Sequence, residues 1–129
     1  MKTRKLLLVE DEAVIREMLN QAFSKKGYTV FEAETAEIGL KILETETINV
    51  MFLDLNLPGM NGVELCREIK AHKPISIVYA VTGYASLFEL DNCREAGFDD
   101  YFTKPVSLES LFKAAEDAFE KIERWKDRK

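Results

Sequence analysis

The chain has little that would staple, anchor or extend it. It carries two cysteines, Cys66 and Cys93, each inside an apolar helical pattern and neither in a C-x-x-C arrangement. Buried free thiols in a reducing compartment fit this pattern better than a disulfide or a cysteine metal clip. No apolar run is long enough to span a bilayer, and the amino end lacks a signal-peptide core. The expected setting is therefore cytoplasmic, without a membrane partner. Positive charge is not in excess: 18 Lys and Arg stand against 23 Asp and Glu, a net charge of −5. Phosphate-backbone binding needs clustered cations, so nucleic acid is not an expected partner. The lone histidine, His72, sits beside Lys73 at a predicted helix end and reads as an exposed imidazole rather than a ligand or base. The chain has no internal repeat, low-complexity tract or linker.

What is present is an ordinary globular balance, 47% apolar and 32% charged over 129 residues. That is enough for one hydrophobic core. The expectation is a single domain over residues 1–129, without an effector domain. Lys5-Leu6-Leu7-Leu8-Val9 is a short apolar run ending in Glu10-Asp11-Glu12. Val14, Met18 and Ala22 then alternate with Ile15, Leu19 and Phe23 at helical spacing, closed by Lys25-Lys26-Gly27. Tyr28 to Ala33 predicts a strand, and Thr35 caps a helix carrying Ala36, Leu40 and Leu43. Val50 to Leu53 is apolar on both sides, which suits a strand buried on both faces, and it ends on Asp54. Turn chemistry follows at Pro58-Gly59 and Asn61-Gly62.

A helix is predicted from about Gly62 to Ala71, with Asn61 as cap and Glu64 three residues on. Ile75 to Val81 predicts the fourth strand, ending at Thr82-Gly83. Leu87, Leu90, Cys93 and Ala96 mark the next helix, which Gly97 stops. Tyr101-Phe102-Thr103 is the fifth strand, ending at Lys104-Pro105. From a Ser107 cap runs a long helix with Leu108, Leu111, Phe112, Ala115, Ala118, Phe119 and Ile122 on one face; Trp125, near its end, is expected to be partly covered. Five strand–helix alternations predict an α/β, doubly wound parallel sheet with right-handed crossovers and helices on both faces.

In such a sheet, ligands collect outside the carboxyl ends of the strands. Four of the five predicted strands end on usable chemistry: Glu10 and Asp11, Asp54, Thr82, and Lys104. Carboxylates brought so close repel one another unless a cation joins them. An oxygen-rich site of this kind suits Mg²⁺. Lys104 adds a second positive charge and Thr82 a hydroxyl, the groups a transferring phosphoryl unit requires around its outer oxygens. Asp54 is the candidate nucleophile. Taken singly, each residue has a plainer role. Glu10-Asp11-Glu12 can cap the first helix, Asp54 can start a turn, Thr82 fits as a β-branched strand residue, and Lys104 can be a solvated loop cation. Their joint placement argues for a site.

The ordered motifs Leu8-Val9-Glu10-Asp11-Glu12, Phe52 to Gly62, Val81-Thr82-Gly83-Tyr84 and Asp100 to Pro105 resemble the receiver domain of the two-component response-regulator family, of the CheY-like single-domain kind. The resemblance covers essentially the whole chain. It implies a flavodoxin-like (βα)5 fold with strand order 2-1-3-4-5. It implies that Asp54 accepts a phosphoryl group from a phosphohistidine on a sensor histidine kinase or a His-containing phosphotransfer protein. Asp11 and Asp54 would then bind Mg²⁺ (or Mn²⁺) directly, Glu10 largely through water, and Asn56 through its backbone carbonyl. Thr82 and Lys104 would contact the phosphoryl oxygens. Tyr101 would be the switch aromatic that turns inward with Thr82, reshaping the face of the fourth helix, fifth strand and fifth helix for a downstream protein. Asn56 and Tyr84 occupy the positions that tune dephosphorylation. Glu10 in place of the more usual Asp, and Gly83 in place of alanine, depart mildly from the family pattern.

Two other classes compete. A haloacid-dehalogenase-type phosphatase would need a second Asp where Asn56 stands, and amide nitrogen transfers no proton. A flavodoxin-like cofactor carrier would need a phosphate loop where Glu10-Asp11-Glu12 stands. The expected protein is a signalling switch rather than an enzyme.

Overall fold

The computed structural model describes residues 3–83 and 87–127. The strands are β1 (Lys5–Val9), β2 (Thr29–Ala33), β3 (Val50–Asp54), β4 (Ile77–Thr82) and β5 (Asp100–Thr103). Between and after them run α1 (Ala13–Lys25), α2 (Ala36–Thr45), α3 (Gly62–His72), α4 (Leu87–Ala96) and α5 (Leu108–Asp127). All strand pairs are parallel, in the order β2-β1-β3-β4-β5.

Successive side chains of a strand point to opposite faces. Here that alternation sorts the core into two clusters. Leu7, Val9, Met51, Leu53, Val78 and Ala80 face α2, α3 and α4, meeting Leu43, Leu65, Cys66, Ile69 and Cys93. Leu6, Leu8, Val50, Phe52, Tyr79 and Val81 face α1 and α5, meeting Leu19, Phe23, Leu111 and Phe119. Phe23 centres an aromatic group on this second face, with ring centroids of Phe52 and Phe112 at 5.3 and 5.5 Å. A fully buried side chain of this core, such as Phe23, Leu8 or Met51, stabilises the fold by about 1.5–3 kcal/mol. The central strands β1, β3 and β4 need both helix layers, which is why they read as unbroken apolar runs.

Caps and turns follow the local sequence. Thr35 accepts from the Ile38 N–H at 3.1 Å. Asn61 and Glu64 form a reciprocal capping box, with the Glu64 N–H to Asn61 Oδ1 at 2.9 Å and the Asn61 N–H to Glu64 Oε1 at 3.1 Å. Both cysteines are buried and free.

Four expectations shift. The fourth strand begins at Ile77 rather than Ile75, because the Ser76 N–H closes a turn onto Lys73 O and the ladder opens only with Ile77 N–H to Asn49 O, 2.7 Å. The second strand begins at Thr29, since the Tyr28 N–H is taken by Phe23 O at the end of α1. Val14 is 82% exposed and Met18 stands outside the core as well, since the sheet and α5 cover only the Leu19–Phe23 side of α1. Trp125, expected to be partly covered, is 72% exposed.

Candidate functional site

The register brings the strand ends to one edge. Val9 pairs with Leu53, Asp54 with Val81, and Thr82 with Thr103. Two ladders continue one step past their strands: the Glu10 N–H bonds to Ala33 O at 3.0 Å, and the Lys104 N–H to Thr82 O at 2.7 Å. Residues next to the last paired positions are therefore held by backbone, not left to loops.

Glu10 is 3% exposed and Asp54 4%. The Lys104 ammonium lies between them, Nζ at 2.9 Å from Glu10 Oε1 and 3.3 Å from Asp54 Oδ2. The second oxygen of each acid is also occupied. Glu10 Oε2 accepts from the Glu12 N–H at 3.1 Å, and Asp54 Oδ1 from the Asn56 N–H at 3.0 Å. Asp11, exposed, completes a group of three carboxylates whose nearest oxygens lie within 4.8 Å of one another.

The electrostatics follow from burial. Desolvation pushes the Glu10 carboxyl up to about 7; the hydrogen bonds from Lys104 and Glu12 work against it, and the neighbouring Asp54 charge adds to it. Burial also works against the Lys104 charge, but the hydrogen bond to Glu10 and the charges of Asp54 and Glu10 outweigh it and raise its pKa. One ammonium thus pairs with two of the three acids, and Asp11 adds a further carboxylate beside them. The surplus of negative charge, presented by hard oxygen donors, is the chemistry that a divalent cation satisfies. The acids present fit Mg²⁺.

Glu10, Asp11, Asp54 and Lys104 are brought together as the sequence predicts. Thr82 is fully buried at the same edge, its carbonyl bound to Lys104. Asn56 is exposed beside Asp54 and donates its backbone N–H to it. Tyr101 lies on the edge strand, 43% exposed. Tyr84 lies outside the described residues. One contributor carries no motif: Arg16, a turn into α1, donates from Nη1 to the Glu10 carbonyl at 2.7 Å and pins the β1–α1 loop. Its only sequence signal is a cation on the first turn of a helix that follows an acidic cluster. Gly62 has a steric reason within its motif. A Cβ there would collide with the carbonyl oxygen of Asp54, while the Gly62 N–H bonds to Leu55 O at 3.1 Å. Only glycine lets α3 start this close to the acidic residue.

A parallel sheet in this order, with acids and one lysine at its carboxyl edge, defines the CheY-like class of flavodoxin-fold signalling domains. The chain belongs to the response regulator receiver domain family, whose family model matches residues 6–116. It is 40% identical over 106 residues to a cyclic di-GMP phosphodiesterase of Thermotoga maritima, covering 82% of this chain but 28% of that protein. It is 32% identical over 111 residues to sporulation initiation phosphotransferase F of Bacillus subtilis, covering 86% of this chain and 90% of that one. Among solved structures, a CheY-like receiver domain from Methanospirillum hungatei superposes with a TM-score of 0.91 at 32% identity, over 95% of this chain and 98% of that chain. The chain is thus a receiver domain of two-component signal transduction. Among its described residues, no helix is long and apolar enough to cross a membrane.

Proposed function

We propose that Asp54 is the phosphoacceptor of a phosphorelay. An Asp54 carboxylate oxygen attacks the phosphorus of a phosphohistidine on a sensor kinase or His-containing phosphotransfer protein. The P–O bond forms as the P–N bond breaks, and the electron pair leaves on the ring nitrogen, which takes up a proton. Asp11, Asp54 and the Asn56 backbone carbonyl would hold Mg²⁺ (or Mn²⁺), with Glu10 reaching it through water. When bound, the ion supplies positive charge for the phosphoryl oxygens. Lys104 supplies the second charge by exchanging its contact with the Asp54 carboxylate for one with the phosphoryl group, and Thr82 donates its hydroxyl. The single observation that carries this reading is the Lys104 ammonium held between buried Glu10 and Asp54 at 2.9 and 3.3 Å.

The output is a two-state shift biased by the contacts the phosphoryl group makes in one state only. Thr82 moves toward the phosphate and Tyr101, outward here, fills the space behind it. The α4–β5–α5 face then presents a new surface to a downstream protein. Asn56 and Tyr84 set the phosphate lifetime. The domain acts in the cytoplasm, where free thiols persist, and turns over no substrate beyond its own acyl phosphate. Asn56 two residues past Asp54 speaks against a phosphatase, because it cannot act as acid or base.

Incubation with a labelled phosphodonor and Mg²⁺ tests the reading. Wild-type protein takes up one alkali-labile phosphoryl group, and Asp54→Asn takes up none. Unchanged labelling of the variant would remove Asp54 from the role.

A further inference from the structure

At the edge of the sheet opposite Asp54, a groove of about 400 Å³ runs between the last turns of α5 and the segment joining α3 to β4. Its walls are apolar and open to solvent: Ile75, 70% exposed, and Pro74 on one side, Trp125 and Ile122 on the other. Large exposed apolar side chains that face one another across a concavity mark an interaction site more than scattered ones do. Aromatic anchors of this kind dominate recognition energetics.

The rim has the opposite sign to the rest of the molecule. Lys121 and Lys126 border the groove and make no ion pair with any described residue, in a chain whose net charge is −5. Lys70 also lies there, but it is committed to Asp99 at 3.0 Å and to the Ser76 carbonyl at 2.6 Å. Beneath the wall, the buried Ser76 Oγ has no hydrogen-bond partner among the described residues. An apolar slot flanked by free ammonium groups complements an apolar side chain flanked by carboxylates.

From this we infer that the groove docks a short acidic segment of a partner protein, with one large apolar side chain seated between Ile75 and Trp125 and its flanking carboxylates on Lys121 and Lys126. A lipid surface fits less well. The slot is concave rather than protruding, which suits one inserted side chain better than a bilayer. The groove is separated from Asp54 by the length of the sheet, so docking there is independent of phosphorylation and serves as a constitutive tether.

Trp125 is the one tryptophan of the chain and reports on the groove directly. The probes are three tryptophan-free synthetic peptides: a Leu-Phe pair flanked by glutamates, the same pair flanked by lysines, and glutamates alone. The glutamate-flanked apolar peptide is expected to shift Trp125 emission to the blue, saturably, and with equal affinity before and after incubation of the wild type with phosphoramidate and Mg²⁺. Charge reversal at the rim, Lys121→Glu with Lys126→Glu, should weaken binding about tenfold, as loss of two exposed ion pairs implies. Both lysines are exposed, so the variant folds, and its far-ultraviolet circular dichroism should match the wild type. An equal response to the lysine-flanked peptide would overturn the proposal, as would indifference to the charge reversal. So would a shift produced only by anionic vesicles, or only by self-association at rising protein concentration.

Discussion

The Lys104 ammonium stands 3.3 Å from Asp54 Oδ2, although 50 residues of chain separate the two. The same nitrogen is 2.9 Å from Glu10 Oε1, so one cation holds two buried acids apart from direct repulsion. It is already within reach of any group transferred to Asp54.

Lys104→Met removes that charge and leaves the carboxylates in place. Phosphorylation by a small donor such as phosphoramidate should slow roughly 100-fold, the usual cost of losing one preorganised donor to a developing anion. Mg²⁺ should still bind, because every acid remains. A rate within threefold of the wild type would show that Lys104 does not touch the phosphoryl group.

Removing the metal is the complementary experiment. A ligand that binds only the folded state at 100 times its Kd raises the unfolding free energy by about 2.7 kcal/mol. Urea unfolding in saturating MgCl2 against EDTA should show a gain of that order. Asp11→Asn, at an exposed position, should abolish most of the gain while leaving the stability in EDTA little changed. Equal gains in both proteins would take Asp11 out of the metal site.

Gly62→Ala puts a methyl group against the Asp54 carbonyl and Leu55 Cα, the latter only 2.8 Å from where it would sit. Backbone on both sides cannot yield as a flexible side chain does. A loss of about 1–3 kcal/mol in urea denaturation is expected, together with slower phosphorylation, because α3 and the Asp54 loop must separate. A neutral substitution would mean that the helix start shifts freely.

Stability should decline in alkali from two buried groups. Burial pushes the Cys66 thiol from 9.0 up to about 12, with Lys70 partly opposing, and the Tyr79 phenol from 10.0 up to about 12, with the Asp99 charge adding. Tyr79 also donates its hydroxyl to Ala114 O at 3.1 Å. The unfolded chain releases these protons from pH 9–10, whereas the folded chain keeps them to about 12. Stability therefore falls as pH rises through that window, and below pH 9 these groups add no slope. Denaturant midpoints between pH 8 and 11.5 check this, and a flat profile above pH 9 contradicts it. The same burial predicts slow reaction of Cys66 with thiol reagents at pH 8 in the native state.

Much of the fold was legible because strands and helices announce themselves through local periodicity. Runs such as Leu6 to Val9 and Val50 to Leu53 are apolar on both sides because both faces of a central parallel strand meet helices. Glycine after α1 and α4, and Asn61 with Glu64 before α3, mark ends that backbone geometry enforces. Gathering Glu10, Asp11, Asp54, Thr82 and Lys104 needed one inference beyond local pattern, that parallel strands share a carboxyl edge.

Tertiary structure alone decided the rest. Val14, Met18, Ile75 and Trp125 have the same composition signal as core residues, yet stand in solvent. Whether an apolar side chain is covered depends on which distant element passes over it, and no window of sequence contains that element. The same holds for Arg16 on the Glu10 carbonyl and for the division of one ammonium between two acids. Periodicity is a property of a single backbone segment; burial and charge pairing belong to surfaces that only the packed chain brings face to face.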